Sequence, residues 1–185
     1  AQACFFAIVG TASDGHNYID SAIEKGASAV VCERLPENIN PNVAYVMVED
    51  TNIAMAAMAA AFYDEPSAKI KLVGVTGTNG KTTTKELMAT VLSTQYNIHY
   101  TQGNLNNQIG VPLTLLQITR AHEMAIVEMG ASHPGDIKEL VDIAEPNYGL
   151  ITNVGRAHLQ GFGSFEGVQQ TKKELYDYLL DHQGY

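Results

Sequence analysis

Residues 71–86 read KLVGVTGTNGKTTTKE, and the way this stretch folds decides the architecture around it. Lys71–Val75 is short, apolar and β-branched at two positions, the composition of a buried parallel strand. Gly77 and Gly80 bracket Thr78 and Asn79 and permit backbone angles that other residues resist. From Lys81 onward, Leu87, Met88, Val91 and Leu92 recur at helical spacing. A helix starting near Lys81 would aim its unpaired N–H groups and positive dipole end at the turn, where an anion can sit. In that reading Thr76, Gly77, Thr78, Asn79 and Gly80 wrap a nucleotide's phosphates together with Lys81, Thr82 and Thr83. Lys81 reaches the β/γ-phosphates and the Thr82 hydroxyl ligates Mg²⁺. The strict pattern GxxxxGK[ST] requires glycine at position 75, where Val75 stands. The loop is therefore a variant, and an ordinary strand–turn–helix connection is the alternative.

Strands and helices alternate on both sides of it. Upstream, the pattern predicts strand Cys4–Val9, helix Tyr18–Lys25 ended by Gly26, strands Ala29–Cys32 and Ala44–Val48, and helix Asn52–Tyr63 with Thr51 as N-cap. Asp64–Ala68 (DEPSA) carries turn chemistry and a helix-stopping proline. The expected organisation is thus a small α/β module over 1–67 and a second over 68–185. The second continues with strands Ile98–Thr101, Ala125–Glu128 and Tyr148–Asn153, and helices Asp136–Ala144 and Phe165–Leu180. Such alternation predicts an α/β fold: a parallel, P-loop NTPase-like sheet with flanking helices, cut short at its end. Ligands of such sheets collect at the carboxyl ends of the strands. The loop, Glu128 and Asn153 all fall there.

Composition narrows the classes. The 185 residues are 45% apolar and 17% charged, which suits a folded globular chain. A formal charge of −9 argues against nucleic-acid or anionic-membrane partners. The longest apolar run, Ile53–Tyr63 (IAMAAMAAAFY), is too short and alanine-rich to span a bilayer. Cys4 and Cys32 make no disulfide framework, and reduced thiols fit a cytoplasmic protein. No signal peptide opens the chain, which begins almost inside a strand, as though sequence lay upstream.

One residue in the last helix breaks its pattern. Val168, Leu175 and Leu179 form an apolar stripe, and Lys172 lies on that stripe. Two readings fit. The amine snorkels to the rim of the helix, or burial lowers its pKa until it is neutral. A neutral amine can add CO₂ to give a carbamate, an oxygen ligand for a hard cation. Glu128 and His158 are candidate partners for that cation. Glu128 ends an apolar strand where a charge has no packing purpose, although capping a helix or pairing with a lysine would also place it there. A lone loop histidine such as His158 is ordinarily a hydrogen-bonding surface residue.

Four stretches together resemble a known family: TGTNGKTTT; GNLNNQIGVP (Gly103–Pro112); VEMGASHPGDI (Val127–Ile137); and TNVGRAHLQGFGSFEGV (Thr152–Val168). They look like the ATP-dependent Mur ligases of peptidoglycan synthesis. From about residue 72 to 180 the likeness is to the branch that adds D-alanyl-D-alanine. The first module looks more like the UDP-sugar-binding domain of the branch that adds the third residue, as a chimera, an assembled fragment or ordinary divergence would produce.

The resemblance implies an amide-bond ligase that uses ATP and two Mg²⁺ ions. A terminal carboxylate of a UDP-N-acetylmuramoyl-peptide would attack the γ-phosphate, and the amine of D-alanyl-D-alanine would then displace phosphate from the acyl phosphate. By residue, it implies Lys81, Lys172 and His158 as catalytic groups. Thr82, Glu128, His158 and a carbamylated Lys172 would hold the metal, and Asn104, Asn106, Asn107 and Arg156 would face substrate. Several relatives carry Asp before the histidine, where Ala157 stands. The family implies a monomer, and the 185-residue chain, lacking the amine-delivering domain, is expected to turn over slowly or not at all. Two readings from other classes stay open: a P-loop GTPase or kinase, though no NKxD motif reads guanine, and a non-catalytic binding module for a UDP-sugar nucleotide.

Overall fold

The computed structural model describes residues 3–10, 13–62, 70–156 and 159–185. The chain divides into two compact units, Ala1–Met58 and Ala59–Tyr185. The boundary expected at 67/68 falls on residues 63–69, outside the described residues.

The first unit holds three parallel strands in the order β1-β2-β3: β1 (Ala3–Phe6), β2 (Ala27–Cys32) and β3 (Ala44–Met47). A single 3₁₀ turn, Gly15–Tyr18, leads into α1 (Ile19–Glu24). Ala7, Ile19, Val30 and Cys32 form its core. Two local expectations are corrected here. The first strand ends at Phe6 rather than Val9, because the chain folds back and the Gly15 N–H donates to the Ile8 carbonyl at 2.8 Å. The cap of α2 (Thr51–Phe62) is Asp50, not Thr51: Asp50 Oδ1 accepts from the N–H groups of Asn52 (2.7 Å) and Ile53 (3.0 Å). Thr51 is buried, and its hydroxyl and N–H both donate to Glu33 Oε1.

The second unit is a four-stranded parallel sheet in the order β5-β6-β4-β7: β4 (Lys71–Thr76), β5 (Ile98–Tyr100), β6 (Met124–Glu128) and β7 (Tyr148–Ile151). Helix α3 (Lys81–Leu92) follows β4. Later come α4 (Gly110–Leu115), α5 (Asp136–Ala144), the short α6 (Leu159–Phe162) and α7 (Phe165–Asp181). The chain leaves β4 toward β5 on one side and reaches β7 on the other, so the crevice beyond the end of β4 lies where strand order reverses.

Side-chain alternation along the strands sorts the helices. Val73, Val75, Met124 and Ile126 face one way and pack with Ala89, Met88 and Leu92 of α3. Leu72, Ala125 and Val127 face the other way and pack with α4, α5 and α7 through Leu115, Ile137, Leu140, Leu175 and Leu179. Gly74 and Gly149 sit side by side in the β4–β7 register. A Cβ on Gly149 would lie 2.5 Å from Leu179 Cδ1, and one on Gly74 3.2 Å from Leu175 Cδ1. This flat floor lets α7 lie close, with Lys172 one turn before Leu175.

The sequence pattern missed α4 and α6, whose 6 and 4 residues are too short to show a helical period. At the far edge, the Tyr185 N–H donates to the Asn147 carbonyl (3.0 Å) and the Gly149 N–H to the Tyr185 carbonyl (2.9 Å). That exchange is the pairing of a parallel strand alongside β7.

Candidate active site

The loop between β4 and α3 is shaped from outside. Gly77 has φ +140°, and a Cβ there would fall 2.1 Å from Thr152 Oγ1. Gly80, at φ +79°, is the N-cap residue of α3. Beyond β7 the chain clamps the loop. The Thr152 hydroxyl donates to the Asn79 carbonyl (2.6 Å), and Asn153 exchanges bonds with Asn79 through Oδ1 (3.1 Å) and Nδ2 (3.0 Å). The Thr78 N–H donates to the Asn153 carbonyl (3.0 Å), and its hydroxyl oxygen accepts from the Gly155 N–H (2.9 Å). The first intrahelical acceptor is the Gly80 carbonyl, bonded by Thr84. The N–H groups of Lys81, Thr82 and Thr83 therefore precede the helical ladder and point into the loop. Thr76 is different: it is buried and its hydroxyl donates to the Met129 carbonyl (2.8 Å), so its side chain supports the loop from below.

Lys81 folds over the loop, its Nζ donating to the carbonyls of Gly77 (2.8 Å) and Thr78 (3.2 Å). Burial lowers its pKa, and the charge of Glu128 works against that shift.

Glu128 rises on the α3 side of the sheet, in phase with Met124 and Ile126, and is only 1% exposed. Its Oε1 accepts from Asn106 Nδ2 (2.8 Å) and lies 3.3 Å from the Thr82 hydroxyl. Its Oε2 is buried with no hydrogen-bond partner among the described residues, 3.7 Å from Lys85 Nζ. The Thr101 hydroxyl oxygen accepts the Glu128 N–H at 3.0 Å and fixes the backbone. A carboxylate oxygen with spare capacity beside a hydroxyl suits a hard cation. Among the described residues no three His, Cys, Asp or Glu side chains converge, and His158 lies outside the described residues.

Lys172 is 2% exposed and comes up on the α7 side of β4. It shares a small cleft with Gly77, Thr78, Lys81, Ala131, Phe162 and Val168. Its ammonium stands 5.8 Å from the Phe162 ring centre, well inside the helix–sheet interface, so the snorkelling reading does not describe it. Burial, then the positive charge of Lys81, lowers its pKa to about 8 against the pull of Asp136 and Glu174. Thr82, Glu128 and Asn106 gather on the α3 side of the sheet and Lys172 on the α7 side, and Lys81 interacts electrostatically with both Glu128 and Lys172.

The remaining expected residues have separate roles. Asn107 Oδ1 accepts from the Ile109 (3.2 Å) and Gly110 (2.9 Å) N–H groups at the start of α4. Asn104 is exposed, and its carbonyl accepts from the Asn106 N–H. Arg156 is exposed, with its guanidinium 5.9 Å from the Phe165 ring centre. Sequence reasoning passed over Lys85. It lies four residues before Ala89 and three before Met88, on the buried stripe of α3, so the rule that singled out Lys172 applies to it equally.

The Mur ligase middle-domain model matches residues 75–184, more than half of the chain, and a model described as the Mur ligase family catalytic domain matches residues 1–63. The chain belongs to the Mur ligase family. This Mur ligase chain is 42% identical over 177 residues to the UDP-N-acetylmuramoyl-tripeptide–D-alanyl-D-alanine ligase of Bacillus subtilis, covering 96% of the chain and 38% of that enzyme. To the ligase of the same name from Synechocystis it is 47% identical over 92% of the chain and 37% of the relative. A crystal structure of MurF from Acinetobacter baumannii superposes with a TM-score of 0.88 at 36% identity, covering 98% of the chain and 39% of that protein. MurF ligase from Thermotoga maritima, solved in complex with ADP, gives 0.84 at 37%, covering 96% and 40%. These relatives run through both modules, so one kind of Mur ligase accounts for both. The chain spans about two fifths of their length.

Proposed function

We propose that the chain is the nucleotide- and metal-binding part of an ATP-dependent ligase that adds D-alanyl-D-alanine to a UDP-N-acetylmuramoyl-tripeptide through an acyl phosphate. The observation that carries this reading is the approach of Thr82 and Glu128 beside the first-turn N–H groups of α3, with Lys81 over the same loop. A carboxylate and a triphosphate repel each other, so a site that joins them must neutralise charge and fix geometry. Lys81 exchanges its two loop carbonyls for phosphate oxygens, and the N–H groups of Lys81, Thr82 and Thr83 take the phosphate ends. Asn106 holds Glu128 Oε1 in place. Bound Mg²⁺ supplies neutralisation of the reacting oxygens; Thr82, Glu128 and His158 would hold one ion, and a second would need Lys172 as a carbamate.

Carbamate formation joins the neutral amine nitrogen of Lys172 to CO₂ and releases one proton. With a pKa of about 8, roughly one amine in ten is neutral near pH 7. The reaction also replaces a cation facing Lys81 by an anion. Asn104 and Arg156, both exposed, are assigned to the muramoyl substrate. Asn107 is assigned there through Nδ2, since its oxygen caps α4. The acidic chain has no described helix long and apolar enough to cross a membrane, and we assign it to the cytoplasm as a monomer.

Calorimetric titration with Mg·ATP, Mg·GTP and the UDP-muramoyl tripeptide tests the assignment. Mg·ATP is expected to bind, with Lys81→Ala and Glu128→Gln each weakening it at least about tenfold. Preference for GTP, or an unchanged affinity in both variants, refutes the reading. Carbon-13 bicarbonate should give a carbamate resonance that Lys172→Ala abolishes, and a folded sample without that resonance leaves Lys172 a plain amine.

A further inference from the structure

Lys85 is among the largest fully buried side chains, with no exposed surface at all. Its Nζ lies 3.2 Å from Glu86 Oε1, 3.5 Å from the Gly103 carbonyl oxygen and 3.7 Å from Glu128 Oε2. The Tyr100 ring centre is 5.9 Å away. Acceptors from α3, β6 and the β5 end thus converge on a single ammonium. Burying such a charge is costly unless charge and hydrogen bonds compensate it. Here the compensation is uneven: Glu128 Oε1 is bonded by Asn106 and Thr82, whereas Oε2, among the described residues, faces the charge of Lys85 at a distance too long for a hydrogen bond. Lys85 therefore balances Glu128 without saturating its second oxygen.

We infer that Lys85 is a built-in counter-cation for Glu128, a positioning residue that makes metal occupancy of this site depend on bound nucleotide. A divalent ion arriving alone at Glu128 would meet the positive charges of Lys85 and Lys81 across a poorly screened interior. A triphosphate brings enough negative charge to offset both. Lys85 also ties Gly103, at φ +55°, to α3, so the same cation anchors the loop that carries Asn104, Asn106 and Asn107. The inference rests on the assignment of Glu128 and Thr82 as metal donors.

The test is Mn²⁺ titration of the whole 185-residue chain, followed by electron paramagnetic resonance, with and without a non-hydrolysable ATP analogue. Lys85→Met is expected to bind free Mn²⁺ about tenfold tighter or more than the parent, and to gain less from the nucleotide. Lys85→Arg, which keeps the charge, should restore weak binding of the free ion. Affinity in Lys85→Met equal to or below the parent's overturns the inference. Glu128→Gln separates the two levels: if Mn²⁺·nucleotide binding is unchanged in that variant, the metal-donor assignment fails. If Glu128→Gln weakens binding while Lys85→Met does nothing, only the Lys85 inference fails. Melting curves add a readout, since Mg²⁺ should raise the melting temperature of Lys85→Met more than that of the parent. A Lys85→Met chain that stays unfolded in Mg²⁺ counts against the inference as well, because a divalent ion should then stand in for the ammonium.

Discussion

Gly77→Ala strikes the loop at its tightest point, and its cost can be built from two parts. The backbone at φ +140° belongs to a region that only glycine enters freely, and holding alanine there costs about 1–3 kcal/mol. The new Cβ would also lie 2.1 Å from Thr152 Oγ1, so the hydroxyl must move off the Asn79 carbonyl, losing a bond of roughly 0.5–1.5 kcal/mol. Together the substitution should destabilise the second unit by about 2–4 kcal/mol. Urea unfolding would read this as a lower midpoint, and calorimetry should show Mg·ATP binding lost in step. Thr152→Ala isolates the second part and should cost about 1 kcal/mol alone. In the double variant the overlap is gone and that bond cannot be lost twice, so the total should fall about 1 kcal/mol short of additivity. A Gly77→Ala chain within about 0.5 kcal/mol of the parent, or strict additivity, would refute this account of how the loop is held.

The alternation of strands and helices was legible in the sequence wherever an element was long enough to repeat its period. β4, α3, β6, α5 and α7 all fall where the pattern puts them, and Gly26, at φ +101°, ends α1 as its position implies. The losses have local causes. Asp50 and Thr51 are both capping residues by type, and only the contact of the buried Thr51 with Glu33 removes it from that role. At the site, the apolar runs exposed Glu128 and Lys172 as charges in the wrong place, which the structure shows buried. Which charges face each other was not legible. Glu128 and Lys172 lie on opposite faces of the sheet because one follows the phase of Ile126 and the other the floor made by Gly74 and Gly149. Lys85 was missed for a simpler reason, since the phosphate-loop motif drew the reading to Lys81 and away from the stripe four residues on. The clamp from Thr152 and Asn153 pairs residues more than seventy positions apart, and no local pattern announces it.

Leu175→Ala opens a cavity over the Gly74–Gly149 floor from a side chain with no exposed surface, and should cost about 2–5 kcal/mol in urea unfolding. Lys172→Met tests the buried amine. The folded pKa of about 8 lies below the unfolded value, so the unfolded chain binds more protons between the two and stability rises with pH across that window. In bicarbonate-free buffer the variant should therefore exceed the parent by up to about 3 kcal/mol near pH 7, the gap closing as pH climbs past 8 toward the unfolded value. Lys81→Met tests the link between the two faces. Lys81 is depressed by burial but supported by Glu128, and its charge is in turn the second cause that depresses Lys172. Removing it should raise the Lys172 pKa, protonate more of the amine at a given pH and shrink the carbon-13 carbamate resonance. Burial, the larger cause, remains, so the resonance should weaken rather than vanish. Glu128→Gln, on the opposite face of the sheet, should change it far less than Lys81→Met does. A carbamate signal that Glu128→Gln reduces as strongly would mean that Glu128 acts on Lys172 by more than its influence on Lys81, and the division into two faces joined through Lys81 would be wrong.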